Sequence, residues 1–294
     1  MSRRSGESIA CRRSRHSRTV LGSALCVHES GRTISMQVAS ALAGTLGPIV
    51  FLTVLTLAGL ARPGYDPVTR YASDLAVGET SWLQTANFIV FGCLVILFAA
   101  GLRRGLAGGR ALRVSEMLLA VTGLGLTMAG VFPTDLVGQP STSHGAMHFV
   151  ASILMFGTLE AAFFVIVVPL RQDERWAGYA RYSTITGVIA GALCLTSVAA
   201  ALPATFNDYQ AGPLAAWTGL VQRVLFVVAF GWIAMVGLRL LRVSRTPSRR
   251  RPVIAPPDSG VSLPMLGRWP RARVRQSSSA RSRSASATTS RSIT

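Results

Sequence analysis

His144 and His148 stand four residues apart at the start of an apolar stretch. At that spacing both imidazoles project from one face of a helix, within its first turns. Two imidazoles and a carboxylate can hold a divalent metal, zinc by preference, whose bound water is activated for hydrolysis of a lipid or an amide. His144, His148, Asp74 and Asp135 are the candidate ligands, and Asp74, Asp135 and His148 the candidate catalytic residues of such a metal-dependent membrane hydrolase. Asp66, Arg70, Ser73, Asp208 and Arg223 complete a polar cluster around them. Arg223 with the two His would equally suit a binding or transport site for an anionic headgroup or a small solute. A structural reading stands beside these, in which Arg70 pairs with Asp74, and Arg223 with Asp135, to hold loops onto the rest of the molecule.

The elements that must position these residues follow from hydropathy. A spanning helix needs about 20 mainly apolar residues. Six stretches qualify: Val38 to Leu60, Trp82 to Leu102, Leu112 to Phe132, His148 to Val168, Ser183 to Leu202, and Val224 to Leu241, the last extended back towards Leu214. Backbone groups cannot bond to water in hydrocarbon, so helix is the state such runs adopt. The fold class expected is all-α, a polytopic membrane protein with a bundle of six transmembrane helices. Gly187 and Gly191 in the fifth run, and Gly123 and Gly125 in the third, suit close helix packing. Trp82, Trp176, Tyr179, Tyr182 and Trp217 suit aromatic belts at the interfaces.

Charge settles the expected orientation. The formal net charge is +18, but residues 1–35 carry seven Arg against two acids and residues 247–294 carry ten Arg against one, so the basicity belongs to the tails. There is no Lys. Arg103, Arg104 and Arg110 follow the second run, and Arg171, Arg175 and Arg181 follow the fourth, which assigns both loops to the cytoplasm. The loops after the third and fifth runs hold no Arg, and the loop after the first has Arg62 and Arg70 beside Asp66, Asp74 and Glu79, so these face outward. Both termini are then cytoplasmic, in an inner or plasma membrane. Asp66, Asp74, Asp135, His144, His148, Asp208 and Arg223 all share the outer side.

Three regions result: a disordered basic tail at 1–35, in which Met36 is a plausible true start; the membrane domain at 36–245; and a disordered Arg/Ser/Pro-rich tail at 246–294. Membrane lipids are the expected partners, and no specific nucleic acid is. Cys11, Cys26, Cys93 and Cys194 lack zinc-ligand spacing and are expected as free thiols. Of the acids within the runs, Glu116 lies near Arg113 and can pair with it, while Glu160 must face the bundle or carry a proton.

In the first outer loop, Asp66 before Pro67 reads as a helix N-cap and Gly78 as a stop. Val68, Tyr71, Ala72 and Leu75 then fall on one face, predicting a short amphipathic helix on the outer surface. Ser141, Thr142 or Ser143 can cap the helix that carries the two His. The motifs Gly64-Tyr-Asp-Pro67, Ser73-Asp-Leu75, Phe132-Pro-Thr-Asp135, His144-Gly-Ala-Met-His148 and Gly219-Leu-Val-Gln-Arg223, within residues 36–245, resemble a family of bacterial six-span proteins known as domain of unknown function 998. The resemblance implies six helices and no activity. The hydrolase reading is distantly similar to the alkaline ceramidases and adiponectin receptors, which use Ser, Asp and three His; the membrane domain here has two.

Overall fold

The computed structural model describes residues 13–136, 138–205 and 214–245. Asp208 and the tail at 246–294 lie outside them. Among the described residues the chain is entirely helical, and six helices are long and apolar enough to cross a membrane. They are α1 (Arg13–Ala61), α2 (Ser81–Gly105), α3 (Arg110–Val131), α4 (Ser143–Val165) with its continuation α5 (Val167–Gln172), α6 (Tyr179–Thr205) and α7 (Thr218–Arg245). The break between α4 and α5 falls where Pro169 has no N–H for the carbonyl of Val165, one helical turn earlier. Helix α1 begins well ahead of its candidate span, Met36–Ala61. No Pro precedes Pro48 to interrupt the helix ahead of that span.

Each spanning helix packs against the next in sequence, and α7 returns to α1, closing a ring of six. Phe51 of α1, Phe91 of α2, and Phe226 and Phe230 of α7 meet at the centre, with ring centroids 4.8 to 5.8 Å apart. Phe163 of α4 meets Trp232 of α7 edge-on at 4.9 Å. Small residues set the closest approaches. Gly123 faces the backbone of Gly92 in α2, while Gly187 and Gly191 of α6 face Phe163 and Glu160 of α4. Lacking hydrophobic drive between helices in lipid, such contacts hold the bundle by close van der Waals packing.

At one end the bundle carries the α2–α3 connection and the segment from Asp173 to Gly178. Among the described residues two ion pairs form, both here: Arg103 with Glu116 at 2.8 Å and Arg175 with Asp173 at 2.7 Å. Glu116 therefore pairs across two helices with Arg103 rather than along its own helix with Arg113. Trp176 is fully buried, and its Nε1 donates to the carbonyl of Gly105 at 3.2 Å, so it ties the C-terminus of α2 instead of joining an interfacial belt. Trp82 and Trp217 are exposed, as a belt requires.

Candidate functional site

The opposite end holds the connections at 62–80 and 132–142 and the start of α7, and it gathers the polar residues. Asp66 begins the construction. Its carboxylate accepts from Val68 N at 3.0 Å and Thr69 Oγ1 at 2.8 Å, and these bonds hold it below the usual carboxylate range. The turn it caps does not extend into an amphipathic helix on the surface. The chain instead dips inward as a five-residue 3-10 helix, Ala72–Ala76, with every residue buried.

What pulls it inward is the N-terminal turn and a half of α7. Thr218 Oγ1 donates to Thr69 O at 2.7 Å, Leu220 N to Val68 O at 2.9 Å, and Ala72 N donates to Gln222 Oε1 at 2.7 Å. Arg223 Nη1 donates to Pro67 O at 2.7 Å and Arg70 O at 3.0 Å, and its Nη2 to the hydroxyl of Tyr65, whose ring lies 5.5 Å below the guanidinium carbon. Gly219 is required at the crossing, because a Cβ there would strike the carbonyls of Pro67 and Arg70. The expected pairing of Arg223 with Asp135 does not form. A guanidinium placed over a turn finds several unpaired carbonyls at once, and these satisfy its fork of donors.

Asp74 is 5% exposed. Burial pushes its carboxyl up to about 6, a shift that the charges of Arg70, Arg62 and Arg223 oppose without cancelling. It forms no ion pair with Arg70 among the described residues; Arg62 Nη1 instead donates to the backbone carbonyl of Asp74 at 2.7 Å. Burial also raises the Tyr65 hydroxyl above its ordinary value, against the lowering effect of Arg223.

Asp135 and the His pair organise the junction of α3 and α4. Thr142 caps α4 by accepting from Gly145 N at 3.1 Å. Asp135 binds the cap itself: Thr142 N donates to Oδ2 at 2.8 Å and Thr142 Oγ1 to Oδ1 at 2.7 Å, which lowers the Asp135 carboxyl. A Cβ at Gly145 would overlap that carboxylate. His148 is buried, with Nδ1 3.1 Å from Ala129 O and 2.8 Å from Phe132 O. Both partners are acceptors, so Nδ1 carries the proton. The helical donor for Ala129 O would be residue 133, which is Pro and has no N–H, and His148 supplies the missing bond. His144 is exposed and its ring lies 5.9 Å from that of Phe132.

The zinc set does not converge. Among the described residues no group of three or more His, Cys, Asp or Glu is placed to hold a metal ion. Asp135 is bound to the Thr142 cap and His148 to the end of α3, so neither is joined by a third ligand.

A cavity of about 720 Å³ opens instead between α4, α6 and α7 beneath the two connections. Ser73, Asp135, His148 and Gln222 line its polar end, and Ile153, Phe156, Val198 and Leu225 its apolar length. Cys194 and Ser197 on α6, together with Gly157 on α4, form further wall. Sequence reasoning missed these three, although two small polar groups three apart in an apolar helix were the available signal. It also missed Tyr65, Gly145 and Gly219, whose roles depend on contacts distant in sequence. The structure brings Ser73, Asp135 and His148 to one cavity; Arg223 binds the loop above it, and Asp74 and Arg70 lie in that loop outside the cavity lining.

Neither a curated protein nor a solved structure matches the chain. One family model does, over residues 45–239, described as "Protein of unknown function (DUF998)". That match covers more than half of the chain and reaches into every spanning helix, so this multi-pass membrane protein belongs to the DUF998 family.

Proposed function

We propose that this protein binds a lipid or lipid-like amphiphile in the cavity between α4, α6 and α7. The observation that carries the proposal is the grading of the walls, from Ser73, Asp135, His148 and Gln222 at the loop end to Ile153, Phe156, Val198 and Leu225 along the helices. The volume falls within the range of about 300–1,000 Å³ typical of small-molecule sites. A headgroup at the polar end meets Nε2 of His148, which is left as an acceptor because Nδ1 donates to the end of α3. The apolar chain then follows α4 and α6. Arg-rich connections at the far end favour an orientation with both termini cytoplasmic, so the headgroup site opens outward.

Gly157 supplies the test, since a Cβ there meets nothing within 4 Å while the residue lines the cavity. Gly157→Phe should fill the space without a packing clash. Lipids that co-purify with the full chain in mild detergent would be quantified by mass spectrometry. A tightly held species present with the natural protein and lost from Gly157→Phe, at unchanged expression, is the expected result. The same lipid profile for both proteins would sink the reading.

A further inference from the structure

We propose that Glu160 is a proton-binding site at the middle of the membrane, on the α4–α6 contact next to the floor of the cavity. Three observations carry it, and none depends on what occupies the cavity. The first is depth: the span Ser143–Gln172 places Glu160 close to its midpoint, and the facing Gly191 is near the midpoint of the span Tyr179–Ala200. The second is fit. The Glu160 carboxyl lies in the notch that Gly191 leaves, with Oε1 3.0 Å from where a Cβ would stand. The third is the absence of a counter-charge, for among the described residues Glu160 forms no ion pair.

The groups on the neighbouring elements leave a proton as the available partner. On α6, Cys194 is within electrostatic reach, and Arg181 and Tyr182 lie two or more turns towards the far end. On α3, Glu116 is bound to Arg103 at the end of the bundle. On α7, Arg223 binds the loop carbonyls and Arg239 the carbonyl of Arg175, each at a helix end, while Trp232 faces Phe163. A carboxylate at the bilayer centre costs about 2.5–3.5 kcal/mol on insertion scales, and protonation removes that cost. One carboxyl is too few donors for a metal cation, which needs several oxygens. The route for the proton is short: Gly157, one turn before Glu160, and Cys194, one turn after Gly191, both line the cavity. Hydronium reaching that floor gives its proton to the carboxylate and leaves as water, and water takes the proton back as hydronium.

A hydrophobic carbodiimide reads this state directly. The acid proton moves to a carbodiimide nitrogen, the carboxylate oxygen adds to the central carbon, and the acyl group shifts to nitrogen as a stable N-acylurea, with no leaving group. The full chain in phosphatidylcholine nanodiscs would be treated with dicyclohexylcarbodiimide and the modified residues mapped by peptide mass spectrometry. Glu160 should label well above the exposed Glu79 and Glu174 on the same molecules. Above its ionisation range, labelling should fall about tenfold per pH unit. In Glu160→Gln the labelled peptide should disappear with the bundle still folded. Labelling of Glu160 no greater than of Glu79 and Glu174, or independent of pH up to about pH 9, would overturn the proposal. The reaction needs no cavity ligand, so its failure leaves the amphiphile reading standing, and the loss of that reading leaves this one.

Discussion

Asp74 and Asp135 lie on connections at the same end of the bundle, yet their surroundings drive their titrations in opposite directions. For Asp74 the folded value, about 6, exceeds the ordinary 3.8, so folding favours the protonated form. Its contribution to stability is complete below about pH 4 and is lost as pH rises through about 6. Asp74→Asn should therefore leave stability unchanged near pH 4 and raise it above about pH 6, by an amount on the order of 3 kcal/mol. Thermal unfolding in detergent across that window checks it, and a difference that does not vary with pH would refute it. Asp135 is lowered, so its contribution holds above the ordinary carboxylate value and is lost as pH falls through the folded one. Because a Cβ at Gly145 overlaps the Asp135 carboxylate, Gly145→Ala should cost about 1–3 kcal/mol. In an Asp135→Ala background most of that cost should vanish, and additive losses in the double-mutant cycle would show that the two residues are not coupled. The Thr142 cap was legible from sequence, as was Asp66 as a capping residue; that Asp135 grips the cap was not, because seven residues separate the partners and nothing local fixes their approach.

At the scale of elements, the start of α7 and the 62–80 connection act as one unit. Four of the bonds between them run to backbone carbonyls of the connection, which is how a segment that is not continuous helix can lie partly buried. Arg223→Ala removes three bonds to the connection and should cost about 3 kcal/mol in thermal stability, with faster proteolysis between Arg62 and Thr80. Arg223→Lys should restore only part, since one ammonium cannot reproduce a fork that meets Pro67, Arg70 and Tyr65 together. Full restoration by Lys would mean that charge alone matters. The motifs around Tyr65, Ser73 and Gln222 were visible in the sequence as punctuation and polar outliers. Their expected outcome, an amphipathic helix on the surface, gave way to a buried 3-10 turn because α7 offers those carbonyls better partners than water.

For the whole molecule, orientation is the prediction with the widest reach. In a background with the native cysteines replaced by Ser, Gln139→Cys should react with an impermeant maleimide on intact cells, and Gln172→Cys only after permeabilisation. The reverse pattern would invert the bundle and turn the cavity mouth to the cytoplasm. The ring of six helices, the cavity and Glu160 would stand either way, since they depend on packing and not on which side is outside.

The sequence by itself determined that six helices cross the bilayer and that an acid lies deep in the fourth span. Those properties are sums over neighbouring residues: hydropathy over about 20 positions and charge over short loops. Only the tertiary structure decided which donor meets which acceptor. The Ala72 amide and Gln222 stand 150 residues apart, and His148 serves a carbonyl stranded by a proline in another helix. Such pairings belong to the geometry of helix packing, where the closest approach is set by Gly219, Gly145 and Gly191, and no local count of residues contains it.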